Sequence, residues 1–161
     1  MKPLSAYSVQ HHGKEPGVRV YLDNCCFNRP FDNQTQTRIR LEAEAKLHIQ
    51  EKIREGVLEL GWSYVLDYEN AFNPYEERRN AIAGWRRYAS ADTDETKALI
   101  TQANMLTRLG LKAKDALHLA CAIATECDYF VSTDDGILHS GKDVPNIEII
   151  DPPSLIRELE P

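Results

Sequence analysis

The chain has 161 residues, 42% hydrophobic and 27% charged, with a formal charge of −6, enough for one core and too few for two ordinary domains. No apolar run approaches the roughly 18 residues of a membrane span, and the acidic balance argues against binding nucleic acid through a broad basic face. It leaves open an enzyme that meets phosphates through bound divalent cations.

Residues 1–17, with Pro3, Gly13, Pro16 and Gly17, read as a flexible N-terminal extension without the apolar core of a secretory signal, so cytoplasmic residence is expected. Residues 18–161 are then one domain. Val18 to Leu22 is a short β-branched run that predicts a buried strand. A long helix follows from about Thr35 to Glu55, with Leu41, Ala45, Ile49 and Ile53 at four-residue spacing and Gly56 as its stop. Val57 to Leu60 predicts a second strand. Ser63 is an N-cap candidate for a helix that ends near Asn73, before Pro74. Residues 75–89 read as helical, Ser90 to Asp94 as a turn, and Leu99 to Leu109 as a helix closed by Gly110. Leu117 to Ala124 mark another helix, Tyr129–Ser132 and Ile147–Ile150 two strands, and Pro152 to Glu160 a closing helix. Strands alternating with helices predict an α/β domain, a mostly parallel sheet covered on both faces. Of the four cysteines, Cys25 and Cys26 are adjacent and Cys121 lies in an apolar helix. Reduced, buried thiols are expected rather than a metal or disulfide framework.

Open parallel sheets bind ligands beyond the carboxyl ends of their strands. Asp23 follows the first strand directly, and Asp134 and Asp135 follow the strand YFVS after Thr133. Either position alone reads as a turn residue. Glu69 falls on the helix face marked by Val65, Tyr68 and Phe72, where an inward carboxylate needs a partner. Asp115 sits in the first turn of KAKDALHLACAIA, where the helix dipole favours its ionised form. A set of such acids repels itself and calls for a hard cation held through oxygen, Mg²⁺ or Mn²⁺. His118, one turn after Asp115, reads as a buried histidine with a local hydrogen bond rather than a proton shuttle. Arg78, Arg79, Arg86 and Arg87, with Trp85 and Tyr88 among them, form two basic pairs on one side of a helix. The neighbouring Glu76 and Glu77, and a core place for Trp85, favour ordinary surface charge over contact with nucleic acid.

These segments together resemble the PIN-domain family, which includes the toxin nucleases of toxin–antitoxin pairs. The resemblance covers about residues 18–152. It rests on VYLDNCCFNRP with Asp23, SYVLDYENA with Ser63 and Glu69, KAKDALHLACA with Asp115, and FVSTDDGIL with Thr133 and Asp135. It implies a PIN-like three-layer α/β/α sandwich and a metal-dependent ribonuclease, with Asp23, Glu69, Asp115 and Asp135 on one or two Mg²⁺ or Mn²⁺ ions. Asp134 could share or replace Asp135. Asn24 and Thr133 would orient ligands, and Asn28 and Arg29 could reach an RNA phosphate. A small antitoxin protein and a homodimer are the implied partners. Cys25 after Asn24, the long segment CCFNRPFDNQTQTRIRLEAEA and the N-terminal extension depart from the commoner toxin pattern. Other readings are a catalytically weak RNA- or protein-binding module of the same fold, acids paired structurally with arginines, and an aspartyl-nucleophile phosphatase. The last would need a second Asp where Cys25 stands.

Overall fold

The computed structural model of the chain describes residues 17–161, so all of the expected extension except Gly17 lies outside it. The strands β1 (Val18–Leu22), β2 (Leu58–Ser63), β3 (Ala89–Thr93), β4 (Tyr129–Val131) and β5 (Glu148–Ile150) form one sheet in the order β3-β2-β1-β4-β5. Every pairing is parallel, where a mostly parallel sheet was expected. Helices α1 (Asn24–Asn28) and α2 (Thr37–Arg54) connect β1 to β2; α3 (Tyr64–Ala71) and α4 (Glu76–Ala83) connect β2 to β3. Helices α5 (Lys97–Thr107) and α6 (Ala113–Ala124) return the chain across the sheet to β4, α7 (Asp135–Ser140) precedes β5, and α8 (Pro152–Leu159) closes the fold. The two long connections run in opposite directions along the sheet. Right-handed crossovers therefore put α1 and α2 on one face and α5 and α6 on the other, which gives three layers. Among the described residues no helix is long and apolar enough to cross a membrane.

Three expectations fail for physical reasons. The turn at Ser90–Asp94 is instead β3. Its residues ASADT have weak strand propensity, and backbone pairing with β2 at the sheet edge organises them. The helical stretch 75–89 ends at Ala83, and Gly84–Tyr88 continues as a 3₁₀ helix, so the two arginine pairs do not share one helix face. In α2, Leu41 and Leu47 are exposed, and the buried stripe is Glu42, Ala43, Lys46, Ile49, Gln50 and Ile53. Ion pairing and stem packing set that rotation: Glu42 meets Arg29 at 3.0 Å and Arg38 at 3.3 Å, and the Lys46 ammonium lies 5.4 Å from the centre of the Phe27 ring. Burial lowers the Lys46 ammonium to about 8.

The core is densest on the sheet. Tyr21, Leu22, Phe27, Leu60, Trp62 and Phe130 are all fully buried. Tyr21 pairs in register with Gly61 on one side and Phe130 on the other, and its ring stacks on Phe130 with centroids 5.4 Å apart. Gly61 is required by close approach. A Cβ there would lie 2.4 Å from Cys127 Sγ and 2.9 Å from Thr125 Oγ1, at the end of α6. β2 outruns its predicted end at Leu60 because Gly61 stays paired with β1 and Gly61 to Ser63 with β3.

Gly61→Ala should therefore cost about 1–3 kcal/mol by overpacking. Urea unfolding should show part of that loss restored in the Gly61→Ala/Cys127→Ala double variant; no restoration would place the clash elsewhere.

Candidate metal centre

Side chains alternate along a strand, so residues two apart share a face. Tyr21 and Asp23, Gly61 and Ser63, and Phe130 and Ser132 consequently line one face at the carboxyl ends of three adjacent strands, under α6. The chain reverses its direction of progress along the sheet at β1, which makes this the topological switch point.

Asp23 is 7% exposed and held rigidly. It caps α1, its Oδ1 accepting from Asn24 N at 2.8 Å, while Oδ2 accepts from Ser132 Oγ at 2.9 Å and from Cys25 Sγ at 3.5 Å. Ser63 caps α3 as expected, its Oγ accepting from Leu66 N at 3.2 Å. That cap starts the helix on Val65 and Leu66 inward, and one turn later Glu69 and Asn70 share their side. Tyr68 and Phe72, expected to mark the buried face, are exposed at the helix edge and pack on each other with ring centroids 5.0 Å apart.

Glu69 reaches α6. Its Oε1 is hydrogen-bonded to His118 Nε2, and its Oε2 lies 3.3 Å from Lys114 Nζ and 3.4 Å from Asn24 Nδ2. Burial pushes the Glu69 carboxyl up, but the His118 hydrogen bond and the charges of His118 and Lys114 outweigh it and hold the carboxyl below its usual range. His118 is 1% exposed, and its Nδ1 meets Tyr21 Oη at 2.7 Å. Tyr21 Oη in turn lies 2.7 Å from Ser63 Oγ. Burial drives the Tyr21 phenol well above its ordinary value, so it stays a hydroxyl that donates one bond and accepts another.

Asp23, Glu69 and His118 each offer a ligand atom, and these atoms lie within 4.8 Å of one another. Asp115 faces the same charges. Burial first, then the fields of Asp23 and Asp134, raise its carboxyl above the usual value, against the opposing pull of His118 and Lys114. Among the described residues, Asp23 and Asp115 have no Lys or Arg within ion-pair distance. Asn24 Oδ1 is buried beside them without a hydrogen-bond partner. Uncompensated carboxylates and an orphan acceptor around three converging ligand atoms fit a divalent cation.

The other expected residues have different positions. Asp135 is exposed and makes a two-point pair with Arg38, at 2.7 and 3.0 Å, which keeps its carboxyl below the usual range. Asp134 caps α7 through Gly136 N at 2.8 Å and is the member of the pair whose field reaches Asp115. Thr133 is buried, and its carbonyl accepts from Arg38 Nη2 at 3.2 Å. Arg29 is engaged by Glu42 and Asp32, and Asn28 ties Asn24 O to Asn73, so both serve the local frame. Sequence reasoning missed Tyr21 altogether and gave His118 only a local role. The signals were there: Tyr21 shares the face of Asp23, and His118 lies one turn from Asp115 on α6. At the position after Asn24, the Cys25 thiol leans on Asp23 in place of a second carboxylate, which weighs against phosphatase chemistry.

Neither a family model nor a curated protein matches the sequence. Solved structures do match the fold. VapBC2 from Rickettsia felis, bound to a DNA fragment from their promoter, superimposes with a TM-score of 0.53 at 13% identity, over 83% of this chain and 98% of that one. DNA-bound VapBC from Salmonella typhimurium gives 0.51 at 16% identity over 84% and 98%. FitAcB from Neisseria gonorrhoeae gives 0.50 at 13% over 83% and 97%. At these identities the likeness concerns architecture: the fold is PIN-like, a five-stranded parallel sheet flanked by helices.

The two shifted carboxyls have opposite linkage. Glu69, depressed in the fold, stabilises above its unfolded value near 4.5, and that contribution is lost as pH falls through the folded value. Asp115, raised in the fold, costs stability above its unfolded value near 3.8, a cost that disappears on acidification. Without metal at pH 7, Glu69→Gln should melt lower by about 2–4 °C, and Asp115→Asn higher by about 1–2 °C. Thermal unfolding in EDTA checks both, and a lower melting point for Asp115→Asn would contradict the assigned field.

Proposed function

We propose that the chain is a metal-dependent endoribonuclease that hydrolyses phosphodiester bonds in RNA, as the toxin component of a toxin–antitoxin pair. The observation that carries this reading is the convergence of Asp23, Glu69 and His118 at the switch point, with Asp115 beside them in a field of uncompensated negative charge. Toxin–antitoxin complexes of the same fold support a small antitoxin partner, and a homodimer belongs to the same proposal.

Asp23 and Glu69 would hold Mg²⁺ or Mn²⁺, with Asp115 and Asp134 completing the negative field. A divalent cation held there supplies positive charge to the scissile phosphate and lowers the pKa of water at the site. The protein's share is preorganisation. Ser132 and the Asn24 amide lock the Asp23 carboxylate, while His118 and Asn24 lock Glu69, so little rearrangement is needed when substrate arrives. Lys114, exposed at the rim and paired with Glu69, offers a positive charge beside the site to a phosphate entering from solvent. The resemblance to PIN domains selects RNA over DNA; the acids themselves do not discriminate.

Cleavage of a panel of single-stranded and structured RNAs tests the proposal. Purified protein should cleave with Mg²⁺ or Mn²⁺, lose activity in EDTA, and lose at least about 100-fold in kcat as Asp23→Asn. Folded, metal-loaded protein that cleaves no RNA in the panel would favour a binding module of the same fold. A second comparison separates the neighbouring acids. Asn caps a helix as well as Asp, so Asp134→Asn should fold normally yet lower kcat by about tenfold or more, while Asp135→Asn, whose charge already faces Arg38, should lower it by less than about threefold.

A further inference from the structure

We propose that His118 is itself a ligand of the cation, through Nε2, and that the centre therefore favours a first-row transition-metal dication, Mn²⁺ among them, over Mg²⁺. This rests on the nuclease reading of the site, which by resemblance to its fold requires only carboxylates.

Two atoms that bind one cation at about 2.0–2.2 Å lie no more than about 4.4 Å apart. His118 Nε2, a Glu69 oxygen and an Asp23 oxygen form a set within 4.8 Å, so a small adjustment brings all three onto one ion. Nε2 already faces the Glu69 carboxylate through a direct hydrogen bond, and a cation would take the place of the shared proton as the two atoms part. The rest of the ring is prepared for that role. A metal-bound imidazole donates its other N–H to an oxygen that fixes its tautomer and orientation. Tyr21 Oη lies 2.7 Å from Nδ1, fully buried and held by its stack on Phe130.

The protons can be accounted for along the whole line. With a proton on Nδ1, His118 donates to Tyr21 Oη, and Tyr21 donates to Ser63 Oγ, which also accepts from Leu66 N. That tautomer leaves Nε2 without a proton, so its lone pair is available to a cation that takes the place of the proton shared with Glu69. The orphan Oδ1 of Asn24 adds one further oxygen acceptor within the same shell of residues.

Nitrogen ligation has a chemical consequence. Mg²⁺ keeps oxygen ligands and several waters, whereas imidazole suits Zn²⁺, Fe²⁺ and their neighbours, and Mn²⁺, which shares the preference of Mg²⁺ for oxygen, stands at the start of that same transition-metal series. Two carboxylates with one imidazole should thus bind Mn²⁺ more than tenfold tighter than Mg²⁺. The sequence places His118 one turn from Asp115, but its contact with Glu69, 49 residues away on another helix, comes only from the fold.

Pulsed electron paramagnetic resonance of Mn²⁺ added to the full chain tests this directly. The wild-type protein should show hyperfine coupling to a single imidazole ¹⁴N, and Mg²⁺ should displace Mn²⁺ only at more than tenfold excess. His118→Asn should abolish the coupling and bring the two affinities within about threefold. Tyr21→Phe, which keeps the ring and removes the oxygen on Nδ1, should weaken Mn²⁺ by about tenfold with the coupling retained; circular dichroism confirms that each variant is folded. Bound Mn²⁺ without nitrogen coupling in the wild-type protein overturns the assignment of His118, and metal-dependent RNA cleavage by that same protein would leave the nuclease reading standing. A folded protein that binds neither ion and cleaves no RNA overturns both.

Discussion

The buried line from Ser63 through Tyr21 and His118 to Glu69 joins the central sheet to helices α3 and α6, and the geometry of the centre depends on it. Tyr21 belongs to the middle strand and cannot move without disturbing its partners in β2 and β4. His118 takes its ring orientation from Tyr21, and Glu69 takes its carboxylate orientation from His118. A largely buried glutamate on a helix is thereby tied to the central strand of the sheet. Asp23 is fixed independently, by Ser132 at the end of β4 and by the first amide of α1. Two anchors that share one strand bring groups from four elements to a common point.

The acidic residues divide by what compensates them. Glu42 has Arg29 and Arg38, Asp135 has Arg38, and Asp67 and Asp92 have Arg86. These pairs serve the frame, and the exposed ones contribute little to stability. Asp23 and Asp115 have no such partner among the described residues, and Glu69 has one histidine and one exposed lysine. A net charge of −6 says nothing about this division. Burial of a carboxylate without a guanidinium is the stronger signal, because a fold tolerates it only when something else supplies the countercharge.

Much of this was readable from the residues. VRVYLD places an acid at a strand end, SYVLDYENA contains both the cap and the inward glutamate, and Gly110 ends a helix at a φ of +93° as glycine can. These features are local, set by turns, caps and short runs. What escaped reading was set by distant partners. β3 is a strand only because β2 lies beside it, and α2 is rotated by Arg29 and Arg38 rather than by its own leucines. Asp135 resembled a ligand in sequence, yet Arg38 from 97 residues upstream engages its carboxylate. Tyr21 was read only as part of a buried strand, because its hydroxyl partners lie 42 and 97 residues downstream.

The Asp23–Ser132 hydrogen bond spans 109 residues. On the ribosome, the first strand is complete when little of the domain exists; β2 can fill one flank of Tyr21 early, but the flank taken by Phe130 must wait for β4. Parallel pairing of this kind is slow, because each strand must await a long crossover. A truncated or stalled translation product that ends before residue 132 therefore carries most of the acids but lacks the group that orients the first of them. Completion of the centre is thus one of the last events in the synthesis of the domain.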